Sequence, residues 1–72
     1  MSKISSTDKL IGHRLRIIRN ISNITQSELG QIIGVSHQQI QKYENARSRI
    51  SASQLWDLSQ ALNTNINFFF QD

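Results

Sequence analysis

The sequence predicts an all-α domain, and three observations carry that prediction. First, apolar residues recur at helical spacings: Ile11, Leu15 and Ile18, then Leu29 and Ile33, then Ile40 and Tyr43, then Leu55, Leu58 and Leu62. No run alternates with the period of a strand. Second, Thr25, Ser36 and Ser51 each precede one of these runs, with Glu28, Gln39 and Gln54 three residues on. That is the local signature of a capping box, in which a hydroxyl accepts from a backbone N–H and an acid or amide reaches back. Third, Asn23, Gly34 and Asn63 fall where runs stop, and the chain holds no proline. Glycine and asparagine tolerate the left-handed conformation that ends a helix.

Taken in order, residues 1–7 (MSKISST) show no apolar period and read as a frayed N-terminal segment, leaving 8–72 as the domain. A first helix begins near Thr7 or Asp8 and runs to about Ser22. Its stripe is Ile11, Leu15 and Ile18, with Arg14, Arg16 and Arg19 around it. Ile17 and Ile21 broaden the stripe, so this helix either buries more than one face or leaves apolar surface over. A second helix runs from Gln26 to about Ile33 and stops at Gly34, and a third starts after Ser36. Leu29, Ile33, Val35, Ile40 and Tyr43 then share one buried corner. Gly30 lies on the inner side, where a missing side chain allows close approach. The result is a helix-turn-helix over about 26–45 with its second helix presented outward. A fourth helix carries Leu55, Leu58, Ser59 and Leu62, and Asn65 caps a short fifth, Ile66–Phe70.

Seventy-two residues make one small domain. There is no cysteine, and His13 and His37 alone offer no metal-ligand spacing, so neither a metal nor a cofactor is expected. No nucleophile–base–acid set is visible, which argues against an enzyme. No stretch has the length of a membrane span and the N-terminus has no apolar signal core, so the expectation is cytoplasmic. The net charge is +3, unevenly spread. Residues 1–22 carry Lys3, Lys9, Arg14, Arg16 and Arg19 against Asp8, whereas 50–72 carry only Asp57 and Asp72. That polarity suits a polyanion on one face, and equally a solvated surface with a mild basic bias.

The third helix opens Ser36-His37-Gln38-Gln39, all polar, and continues outward through Gln41 and Lys42. Glutamine matches the adenine edge in a major groove, and lysine or histidine can donate to guanine N7 and O6. A solvated helix face with a cap would carry the same residues.

The segments Thr25-Gln26-x-x-Leu29, Gly34-Val35-Ser36, Ile40-x-x-Tyr43-Glu44-Asn45 and Leu62-Asn63 together resemble the phage-repressor and Cro (XRE) family of helix-turn-helix DNA-binding transcriptional regulators. The match runs from about Ile11 to Phe70. It implies a five-helix repressor-like domain that binds double-stranded DNA sequence-specifically, repressor-type rather than activator. It places His37, Gln38 and Lys42 at base-contact positions, with Gln39 and Gln41 next in line. Gln26 resembles the family's phosphate clamp, and Ser36, Asn45, Arg47 and Arg49 would touch backbone. Arg19 and Glu44 would form a salt bridge between the first and third helices. Glycine stands at 30 where the family often has alanine, and Ala46 where it often has glycine. The ending Phe68-Phe69-Phe70-Gln71-Asp72 looks like a subgroup of short bacterial regulators whose chain often continues. Trp56, Phe68 and Phe70 form either a homodimer face or plain peripheral packing. The alternative function is a protein-interaction module of the same fold, such as an antitoxin-like partner binder.

Overall fold

The computed structural model describes residues 4–71, so residues 1–3 of the segment expected to fray lie outside the described residues. It contains α1 (Ser6–Ile21), α2 (Gln26–Ile33), α3 (His37–Glu44), α4 (Ala52–Ala61) and a closing 3-10 helix, Ile66–Phe70. The all-α expectation holds among the described residues, but the fifth helix does not form as an α-helix. Five residues close too few i→i+4 bonds to stand alone, and the tighter pattern is seen instead, with Phe68 N–H bonding Asn65 O at 2.9 Å. Asn65 does cap it, its side chain accepting from Asn67 N–H at 2.8 Å.

The helix starts follow from hydroxyl caps. Thr25 and Glu28 make a complete capping box, at 3.0 and 2.9 Å. Ser36 and Ser51 supply only the hydroxyl half, to Gln39 N–H and Gln54 N–H. Gln54 has other business, since its Oε1 accepts from the Tyr43 hydroxyl. A second full box, Ser5 with Asp8, starts α1 earlier than the expected Thr7 or Asp8. Here Asp8 is the third helical residue and Ser5 the cap. The N–H groups of Ser5 and Thr25 hold the Asp8 and Glu28 carboxyls below their ordinary values of 3.8 and 4.5.

The four α-helices among the described residues end the same way. Asn23 (φ 57°), Gly34 (φ 80°), Ala46 (φ 56°) and Asn63 (φ 50°) are left-handed. The next residue's N–H reaches back each time: Ile24 to Arg19, Val35 to Gly30, Arg47 to Lys42 and Thr64 to Ser59. This is the Schellman closure, which satisfies otherwise orphaned carbonyls. Three of the four positions carry glycine or asparagine. Ala46 is the exception, and its turn is left-handed despite a Cβ that disfavours it by roughly 1–2 kcal/mol. Relief of that strain outweighs the extra unfolded-state entropy of glycine. Ala46→Gly is therefore expected to stabilise the domain by about 0.5–1 kcal/mol, read as a rise of a few degrees in thermal midpoint. No rise would mean that the turn relaxes at no cost.

The core draws on every element: Leu15, Leu29, Ile40, Tyr43, Leu55, Leu58, Leu62 and Phe69 are buried. Ile11, Ile18, Ile33 and Val35 pack against them. Ile21 is largely exposed and Ile17 half-buried, so α1 leaves apolar surface over rather than burying a second face. Two glycines set how closely the helices meet. A Cβ on Gly30 would lie 2.5 Å from Val35 O, which accounts for glycine at this corner. A Cβ on Gly12 would lie 2.4 Å from Tyr43 O and 2.9 Å from Glu44 O, so α1 rests directly on the last turn of α3.

Candidate nucleic-acid interface

Burial divides α3 and its C-cap Asn45 into two faces. Ile40, Tyr43 and Glu44 face inward and are buried, whereas His37, Gln38, Gln41, Lys42 and Asn45 are exposed. Gln38, Gln41, Lys42 and Asn45 sit at i, i+3, i+4 and i+7, which is one stripe along the outer face. With Arg47 they line a shallow surface depression of about 380 Å³. His37 is the first helical residue, beside the stripe's N-terminal end, and Ser36 caps the helix there. Gln39 is half-buried and lies to the side of the stripe.

Glu44 anchors this helix from beneath. Its side chain has no solvent exposure, yet it is a carboxylate. Arg19 answers it with two bonds, Nε to Oε2 at 2.5 Å and Nη2 to Oε1 at 3.2 Å. The remaining Arg19 nitrogen donates to Ile24 O at 2.8 Å. Gln26 Nε2 donates to Glu44 Oε1 at 3.1 Å, and Arg16 Nε approaches the same oxygen at 3.5 Å. One buried charge thus joins α1, the start of α2 and the end of α3. No buried side-chain polar atom among the described residues lacks a partner, as a buried charge requires.

The structure brings Gln26 and Asn45 to this cluster, and both are partly engaged by protein. Gln26 is tied to Glu44, and Asn45 Oδ1 accepts from Arg16 Nη2 at 2.6 Å. Arg47 is exposed at the rim of the stripe. Arg49 lies elsewhere in character: its Nε sits 3.3 Å from Asp8 Oδ2, at the start of α1. Sequence reasoning missed Arg16, which is half-exposed beside Asn45 and Glu44. Its signal was its place one turn after Gly12 and three residues before Arg19, legible only once α1 is laid against α3.

The aromatic residues separate. Phe69 is fully buried, and Phe68 is half-buried with the Arg14 guanidinium 3.8 Å over its ring. Arg14 also donates to Phe68 O at 3.0 Å, so it pins the 3-10 helix to α1. Trp56 and Phe70 remain about half exposed, at 55% and 47%.

An inward corner of apolar residues, an outward polar stripe on the second of two short helices, and a buried Arg–Glu tie define a helix-turn-helix domain. Residues 15–69 match the family described as Helix-turn-helix, and the chain belongs to that family, in its phage-repressor and Cro (XRE) branch. It is similar to an uncharacterized transcriptional regulator in the ATPase CF(0) region of Rhodospirillum rubrum, 48% identical over 96% of this chain and 64% of that protein. An uncharacterized HTH-type transcriptional regulator of Sinorhizobium medicae is 41% identical over 97% of this chain and 50% of its own length. The chain therefore spans half to two-thirds of the length of these relatives. Among solved structures, the P22 c2 repressor in complex with a synthetic operator superposes with a TM-score of 0.77 at 30% identity, covering 85% of this chain and 92% of that one.

Proposed function

We propose that this domain binds double-stranded DNA sequence-specifically as the reading head of a repressor-type transcriptional regulator, with α3 in the major groove. The observation that supports it most is the division of α3 into a buried anchor and one continuous outward stripe of amide and ammonium groups. Amides paired with an ammonium are the groups that discriminate adenine and guanine edges. Kinship with a repressor seen on its operator supports the same docking. In this reading His37, Gln38, Gln41 and Lys42 meet bases, with Gln39 at the flank. Gln26, Ser36, Asn45 and Arg47 hold phosphate, and Arg49 joins them only by leaving Asp8. No catalysis is assigned, since His13 and His37 are exposed on different helices. No helix among the described residues is long and apolar enough to cross a membrane, and the reading places the domain in the cytoplasm beside the genome.

Selection of binding sites from a random duplex pool tests this directly. Enrichment of a defined motif is expected, and Gln38→Ala should lose roughly 1–3 kcal/mol on it while relaxing preference at one base pair. Equal loss on selected and random duplex would refute base reading by Gln38. Binding of a protein partner with no duplex binding at low salt would select the interaction-module alternative. We include a homodimer in the proposal, with Trp56 and Phe70 as the exposed aromatics between copies, and Phe68, half-buried under the Arg14 guanidinium, removed from the face expected from the sequence. The same selection then returns two half-sites about 34 Å, one helical turn, apart.

A further inference from the structure

We propose that Arg16 and Asn45 act together as one phosphate clamp at the C-terminal end of the reading helix. The inference rests on the DNA-binding reading and adds a residue from α1 to the contact surface.

Charge accounting supports it first. Glu44 is buried and holds one negative charge, which Arg19 answers with two hydrogen bonds. Arg19 is itself mostly covered, at 13% side-chain exposure. Arg16 is a second cation for the same carboxylate, at 3.5 Å and 48% exposed. One cationic charge is therefore left over at the surface, beside the last turn of α3. Lys42 and Arg47 lie on the same side, lining the depression with Asn45.

Hydrogen-bond logic supports it second. A guanidinium has donors only, so the Asn45 oxygen must be the atom that faces Arg16 Nη2. The Asn45 amide NH2 is thereby turned away from the arginine. With Nε toward Glu44 and Nη2 toward Asn45, the exposed guanidinium keeps its remaining N–H groups and the exposed amide keeps its NH2, and donors of these two kinds suit the non-bridging oxygens of a phosphodiester. Gly12 sets the distance. With no Cβ between α1 and the Tyr43 and Glu44 carbonyls, Arg16, one turn further on, reaches the end of α3.

The test is the salt dependence of duplex binding by the full chain, measured for wild type, Arg16→Gln and Arg16→Lys on selected and random duplexes. Each phosphate neutralised contributes about 0.9 to the slope of log affinity against log salt. Arg16→Gln should flatten the slope by roughly that amount and weaken both duplexes by the same factor. Arg16→Lys should keep the slope, because the charge stays. Thermal melts should change little for either variant, because Arg19 still answers Glu44. An unchanged slope for Arg16→Gln, on a wild type that binds, would overturn the clamp and leave the DNA reading standing. A loss confined to the selected duplex would overturn it too, since phosphate contacts carry no sequence preference. A wild type that binds no duplex at low salt would sink the DNA reading itself.

Discussion

Glu44→Ala is expected to cost about 3–5 kcal/mol of folding free energy, because it strands a buried cation. Arg19 is covered by the fold, and without the carboxylate it keeps only the Ile24 carbonyl. A domain of this size has roughly 4–10 kcal/mol to lose, so the variant should melt well over 10 °C lower. Arg19→Ala should be costly for the mirror-image reason, leaving Glu44 with Gln26 and the more distant Arg16. The two losses should not add. Once both partners are gone no charge is stranded, so the double variant should lie well above the sum of the singles. The net contribution of the intact pair is smaller than either single loss suggests, since desolvation offsets much of the Coulomb attraction. Urea melts of the four proteins close the cycle, and coupling near zero would mean that Arg19 and Glu44 do not act as a unit.

Gly12→Val should destabilise by at least about 3 kcal/mol, at the upper end of overpacking costs. The obstacle at 2.4 Å is a backbone carbonyl, not the end of a flexible side chain. Relief requires α1 and α3 to separate by most of an ångström, which would also stretch the Arg19–Glu44 bonds. Against this stands a helix-propensity gain over glycine of a few tenths of a kcal/mol, too small to change the sign. Thermal melts and duplex binding should fall together, because the seam that carries stability also sets the posture of α3. A Gly12→Val protein with a wild-type melting curve would show that the seam opens freely.

What could be read in advance was what is local. Thr25, Ser36 and Ser51 announce helix starts within four residues, and Gly34 announces the turn, because caps and left-handed stops involve neighbours in the chain. The inward corner of Leu29, Ile40 and Tyr43 followed from periodicity. The Ser5–Asp8 box escaped because Asp8 reads equally well as a cap or as the third helical residue. Gln54 failed to complete its box because Tyr43, eleven residues away, takes its oxygen. Gly12 as a seam, Arg16 as a neighbour of Asn45, and Arg49 beside Asp8 all depend on how α1 lies across the rest, which no local spacing encodes. At the candidate interface the stripe was legible and the resemblance implied the Arg19–Glu44 pair, but the ties of Gln26 to Glu44 and of Arg16 to Asn45 were not.

The buried tie under α3 has a thermodynamic corollary. The pitch and roll of α3 are settled when the chain folds, at the Gly12 seam and by the bonds from Arg19 and Gln26. Little ordering entropy is then left to be lost on docking. On the proposed function, engagement of a duplex is then a nearly rigid insertion in which only exposed amide and ammonium tips choose a rotamer, so that a mismatch would be felt at once instead of being absorbed by a pliant helix.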